Sequence, residues 1–298
     1  MSLAFSLVLV AISSPAFAQE LVPRAYWPMP NKTNLFALGY QYSTGDVLTD
    51  PTLPITGVES DINFLQVSYL RTYSLFARTA NVQLSVPYTW GESEGFAEGQ
   101  FRSAQTSGLA DSQVRFTVNL LGAPTMDAAG FQALRAKPRT IIGVSLLIQA
   151  PTGDYDADKL INPATNRWAV KPGIGIIWPL RPKWLLELDI SAWIFADNDD
   201  FLGVTKQQDP IVATEVHLVK RIRPGFWASL DATYYVGGRT TVDGELRDDR
   251  QENSRLGASV LFPFKRGHAI KFTLSKGIST SAGGDFDNFA VNYLYIWL

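Results

Sequence analysis

The sequence predicts an all-β protein: an antiparallel transmembrane β-barrel of about twelve strands, with short turns at one end and long loops at the other. Three observations predict it. Apolar and polar residues alternate with period two over most of the chain. The connections alternate in length, odd ones long and polar, even ones short apart from 122–138. Aromatic residues, 12% of the chain, gather near the ends of the alternating stretches, the depth at which amphipathic rings sit in a membrane.

In chain order, residues 34–43 put Phe36, Leu38, Tyr40 and Tyr42 on one face, and a polar loop follows at 44–60. Residues 61–73 return with imperfect alternation. After a turn at 74–77, the stretch 78–90 sets Val82, Leu84, Val86, Tyr88 and Trp90 against Asn81, Gln83, Ser85 and Thr89. Residues 91–108 read as a Gly/Glu/Ser-rich loop. In 109–121, Val114, Phe116, Val118 and Leu120 oppose Asp111, Gln113, Arg115, Thr117 and Asn119. The connection 122–138 has room for a turn or two of helix at 126–136. Residues 140–150 carry Ile142, Val144, Leu146 and Ile148 on one face, and 151–167 form a long polar loop.

A hairpin at 168–194 organises the rest. Its first strand, 168–178, is apolar and broken by Pro172, Gly173 and Gly175; 179–183 is a short turn. Its second strand sets Leu186, Leu188, Ile190, Ala192 and Ile194 against Glu187, Asp189 and Ser191. Two carboxylates on one face of such a strand need water or partners opposite them. In a soluble sandwich that face would be outermost, but a sandwich has no reason to sort loop lengths by parity.

Beyond a loop at 198–208, strands at 210–221 and 226–236 meet at Arg223-Pro224-Gly225; the second sets Ala228, Leu230, Ala232 and Tyr234 against Trp227, Ser229, Asp231, Thr233 and Tyr235. A charged loop, 237–253, leads to strands 254–262 and 268–276, turned at Lys265-Arg266-Gly267. After a Gly/Ser loop at 279–285, residues 288–298 end the chain with Phe289, Val291, Tyr293, Tyr295 and Trp297 on one face. Trp90, Trp168, Trp178, Trp184, Trp193, Trp227 and Trp297 are expected in aromatic girdles.

Residues 1–18 read as a signal peptide: 3–12 are apolar and Ala16-Phe17-Ala18 is a small-x-small cleavage site, although no Lys or Arg precedes Arg24. The expected mature chain starts at Gln19, with a periplasmic N-terminal segment at 19–32 and the barrel at 33–298. It contains no apolar run of about 18 residues, as a transmembrane helix requires. The chain has no cysteine, and 26 Lys+Arg balance 28 Asp+Glu, so composition points to no nucleic acid or other polyanionic partner.

With two histidines, His217 and His268, and no cysteine, no His/Cys metal cluster is available, and no cofactor is expected. His268 is placed at an exposed short turn. His217 lies two residues from Glu215, so both point the same way, into the lumen. The pair reads either as part of an envelope hydrolase or as polar residues satisfying each other and water. Asp197-Asn198-Asp199-Asp200 reads as a solvated acidic rim; it lacks the glycine and distal glutamate of a calcium loop. The alternation places Asp111, Arg115, Lys171, Glu187, Asp189, Glu215, His217, Asp231, Arg255 and Lys271 along the lumen. With acids and bases mixed, it indicates no preference between anions and cations.

Gly108-Leu109-Ala110-Asp111 enters a strand. Pro151-Thr152-Gly153-Asp154-Tyr155, Asn162, Asn166-Arg167-Trp168 and Pro172 follow, ahead of the strand from Trp184 to Trp193. These residues, over most of the mature chain, resemble the outer-membrane transporter family known as the "meta-pathway of phenol degradation" family, whose pattern has glycine where this chain has Ala110. The resemblance implies an outer-membrane channel for uptake of small aromatic or other hydrophobic molecules, and it carries no catalytic residues. A hydrolase built on His217 and a closed barrel with partner-binding loops remain as alternatives. The expected partners are outer-membrane lipid, a small-molecule solute, and the barrel-assembly machinery through the C-terminal strand.

Overall fold

Period-two alternation becomes register. The computed structural model describes residues 21–51 and 55–298; the expected signal peptide and its cleavage after Ala18 lie outside the described residues. The strands are β1 (Asn34–Leu48), β2 (Ile55–Leu75), β3 (Arg78–Ala97), β4 (Gln100–Leu109), β5 (Gln113–Leu121), β6 (Ile141–Gln149), β7 (Ala169–Arg181) and β8 (Trp184–Phe195). After these come β9 (Asn198–Phe201), β10 (Val204–Gln208), β11 (Ile211–Arg223), β12 (Phe226–Gly237), β13 (Thr240–Val242), β14 (Glu245–Leu246), β15 (Gln251–Lys265), β16 (His268–Ser279) and β17 (Gly283–Trp297). One helix, α1 (Ala128–Ala136), joins β5 to β6.

Among the described residues, twelve antiparallel strands close into a barrel in the order β1-β2-β3-β5-β6-β7-β8-β11-β12-β15-β16-β17. The last strand returns to the first, from Asn34↔Trp297 to Leu48↔Gly283, so the barrel wall closes on itself. The turns match their chemistry. Pro224-Gly225 supplies a proline followed by a glycine at φ +77°, as a type II turn demands.

The outer face is apolar: Leu84, Ile174, Ile190, Leu230, Leu256 and Leu274 are all exposed there. The opposite positions on the same strands, such as Ser85, Glu187, Ser191, Ser229, Asp231 and Ser259, are buried. Polar groups inside and aliphatic groups outside invert the soluble pattern and suit a membrane span.

Four expectations change. First, 91–108 is a hairpin: β3 continues to Ala97 and pairs with β4, and β2 and β3 rise together beyond the barrel. Glu92, Ser93 and Glu94 line one arm of this hairpin and Ser103, Gln105 and Ser107 the other, and Phe96 meets Phe101 edge-on near its tip. β5 continues the column of β4 after a break at 110–112, opposite Pro87, which has no N–H to give and whose carbonyl accepts from the Ala110 amide. Second, the expected loops at 198–208 and 237–253 build a second sheet, β14-β13-β10-β9, over the long-loop end. Third, Trp193 and Trp227 face inward, 3% and 9% exposed. They share the face of Glu187 and Asp231, and alternation outranks the general preference of tryptophan for girdles. Fourth, His268 sits on the outer face in the short-turn girdle: its Nδ1 lies 2.7 Å from the Tyr293 hydroxyl and its ring stacks on Tyr295 at 4.6 Å.

α1 forms where a helical turn was expected. Asp127 caps it, accepting from the Gly130 amide at 2.8 Å. Leu134 and Phe131 pack on Ile141, Ile177, Leu185, Val219 and Trp227, the inward residues of five neighbouring strands. The guanidinium of Arg221 donates to the carbonyl of Arg135, bolting the last turn to the wall. The helix therefore fills one side of the short-turn mouth.

Candidate functional site

The described N-terminal residues, 21–33, do not stay outside as a separate segment. They run inside the barrel, because the wall provides partners that water alone would otherwise provide. Thr33 is tied to the rim by Thr72, whose hydroxyl accepts from the Thr33 amide at 2.8 Å, and the Asn31 amide donates to Met126 at 2.8 Å. From there the segment reaches the middle of the lumen. The Arg24 amide donates to Glu187 Oε2 at 2.7 Å and the Val22 amide to Glu215 Oε2 at 3.2 Å. The Arg24 guanidinium stacks on Trp27 at 4.0 Å, lies 5.8 Å from the Trp227 ring, and approaches Glu187 Oε1 at 3.9 Å.

Tyr26 is the anchor. It is 5% exposed, and its hydroxyl lies 3.0 Å from Ser145 Oγ. The ring lies flat on Gly143 and Gly175 of β6 and β7, where any side chain would overlap it. Gly257 provides a similar recess for Leu21. The glycines that interrupt the 168–178 strand are thus a seat.

Around this segment the predicted lumen residues come together. Lys171 Nζ is 3.7 Å from Glu215 Oε1. His217 places Nε2 3.5 Å from Glu215 and Nδ1 2.8 Å from Asp231. Asp231 also accepts from Ser229 at 3.1 Å and Ser259 at 2.9 Å, and Asp189 is hydrogen-bonded to the Tyr26 hydroxyl. Both nitrogens of His217 face carboxylates, and both nearby serines donate to Asp231 rather than to His217. Among the described residues no nucleophile is aimed at His217, and the cluster is a polar network that holds the segment. Among the described residues no group of His, Asp and Glu converges as a metal site.

The segment occupies one side of the lumen. On the other lies a cavity of about 1510 Å³, bounded by Arg24, Trp27 and α1 and by the inner faces of β1–β3, β5 and β15–β17. Gln41, Gln66, Gln83, Asn288 and Asn292 line its wall, and Arg115 and Lys271 belong to it. The turn residues Pro224 and Gly267 mark its short-turn mouth.

A family profile described as "Putative MetA-pathway of phenol degradation" matches residues 40–295. The chain belongs to that family. Among solved structures, it is similar to an outer-membrane channel from Pseudomonas putida F1 (21% identity, TM-score 0.79), over 93% of this chain and 100% of that one. It is also similar to the transport unit of the autotransporter AIDA-I from Escherichia coli (8% identity, TM-score 0.55), over 95% of each chain. At these identities the likeness is one of fold. No curated protein matches the sequence significantly.

The phenol-degradation family motifs read from the sequence prove to be one structure. The Leu109 amide donates to Asp154 at 2.7 Å, and the Asp154 amide returns a bond to the Leu109 carbonyl at 2.8 Å. Asp111 accepts from the Thr165 amide at 2.9 Å, its hydroxyl at 2.6 Å, and the Gly153 amide at 3.3 Å. Asp111 is therefore a clamp for the 150–168 loop at the long-loop end, away from the cavity, and not a lining residue. Arg255 also lies toward that end, donating to the Phe286 carbonyl at 2.8 Å.

Above the clamp, Asn198 is buried and donates to the Tyr155 hydroxyl at 2.9 Å, while Asp197, Asp199 and Asp200 are exposed. Arg167 stacks on Phe195 at 4.4 Å; burial lowers its pKa to about 10, against the attraction of Asp197 and Asp111. Lys206 of β10 lies 4.8 Å over the Phe201 ring, and burial, then Arg167, lower its pKa to about 7. Burial likewise raises the Tyr155 phenol. Sequence reasoning missed Arg24, Tyr26 and Lys206. Only Gly173 and Gly175, two glycines inside an apolar strand, hinted at the seat.

Proposed function

We propose that the protein is an outer-membrane channel for small molecules, with its short turns in the periplasm and residues 21–33 as an inner constriction. The supporting observation is the cavity of about 1510 Å³ inside a closed barrel, left open beside the segment. A barrel filled by its own side chains would leave no such space. The lumen candidates divide in this reading. Arg115 and Lys271 line the passage, whereas Lys171, Glu187, Asp189, Glu215, His217 and Asp231 hold the constriction. The family description and the rings of Trp27, Phe64 and Phe131 along the cavity favour aromatic solutes. Export with cleavage after Ala18 and assembly through the terminal strand complete the reading.

The test is planar-bilayer conductance of the refolded mature chain, with folding checked by heat-dependent gel mobility. Steady current is expected, and it should rise in Tyr26→Ala, which loses the anchor of the constriction. A folded barrel that passes no current in either form would sink the proposal and favour a closed structural barrel.

A further inference from the structure

The lumen as a whole mixes acids and bases, but the cavity does not. Of its lining residues eight are basic, and none is Asp or Glu. Arg115 lies toward the long loops, Lys271 nearer the short turns, and Arg135, Arg221 and Arg266 surround the mouth. The mid-lumen acids are on the other side, engaged by the segment and the wall: Glu187 with Arg24, Glu215 with Lys171 and His217, Asp231 with His217 and two serines. Folding the segment inward therefore separates the charges. It covers the side-chain carboxylates and leaves a passage whose charged lining side chains all carry one sign.

We infer that this passage selects anions, and that its solutes are small organic carboxylates with an apolar, aromatic body. This rests on the channel reading above. A narrow path lined by one sign of charge between low-dielectric walls concentrates counter-ions. The basic groups are spaced along the wall rather than gathered in one cluster, which suits a monovalent anion passing between them. Trp27, Phe64 and Phe131 offer surface for the apolar body along the same path.

The experiment is reversal potential across a salt gradient, for chloride and then benzoate against potassium, with the full mature chain in a planar bilayer. Ionic strength is kept near about 0.1 M, where screening extends over about 10 Å and the lining charges still act at the centre of the passage. The wild type should pass chloride and benzoate severalfold more readily than potassium. Arg115→Glu with Lys271→Glu should remove or reverse that preference, and Arg115→Gln with Lys271→Gln, which adds no acid to the barrel, should weaken it. A conducting barrel that prefers potassium, or whose selectivity survives both pairs of changes, overturns this inference and leaves the channel reading intact. Absence of current from folded protein overturns both.

Discussion

Gly175 of β7 faces the Tyr26 ring directly. A Cβ there would fall within the Tyr26 ring. The backbone of β7 would tolerate alanine, so Gly175→Ala should leave the barrel folded and displace the ring. The expected result is unchanged heat-dependent mobility, raised conductance, and faster tryptic cleavage after Arg24. Unchanged current and cleavage would mean that Tyr26 does not hold the segment. Glu187 and Glu215 act by a different route. Each accepts a hydrogen bond from a backbone amide of the segment, Glu187 from Arg24 at 2.7 Å and Glu215 from Val22 at 3.2 Å.

At the scale of elements, the outer sheet is the place where stability depends on pH. Lys206 is buried among Phe201 and Arg167, with Asp249 as the opposing acid. Its pKa in the packed sheet, about 7, is below the ordinary 10.5. Between these values the loosened sheet binds a proton that the packed sheet does not, so stability rises with pH over that window. Below about 7 the protonated lysine carries the whole penalty. Amide exchange in 204–208, corrected for intrinsic rates, should therefore be faster near about pH 6 than near about pH 8. Lys206→Met should abolish the difference; persistence of the difference would assign it to another group. The inner segment differs from this sheet in that its anchors lie on six barrel strands, β2, β6, β7, β8, β11 and β15, and its release is coupled to the wall.

For the whole molecule, the two faces of the wall predict opposite tolerances. Leu230 is 66% exposed near the middle of β12, while Phe262 is 43% exposed close to the short-turn end of β15. In a lipid bilayer Leu230→Arg should cost about 2–4 kcal/mol and Phe262→Arg about 0–1 kcal/mol, because a charge near the interface can reach water. Urea titration in vesicles measures both. Equal costs would mean that the apolar band is not centred where β12 places it.

The sequence by itself determined the barrel, its strand number, the direction of each face and the sorting of loops. These follow from a period-two pattern that is local and repeated. It even placed Trp227 among inward residues, though girdle reasoning suggested otherwise. The inner location of the polar set was legible at Glu187, Glu215, His217 and Asp231 for the same reason. The inward path of residues 21–33 was not legible, because Arg24, Tyr26 and Leu21 gain their meaning from Gly143, Gly175, Gly257 and two glutamates more than a hundred residues away. Nor was the outer sheet, whose short strands carry no period long enough to read. The division of the lumen charges also lies beyond local pattern: which acids are covered and which bases face the cavity depends on where the segment lies across the closed wall. Tertiary structure alone could decide it, since only closure brings β8 and β11 against the N-terminal residues and leaves β1, β2 and β17 bare.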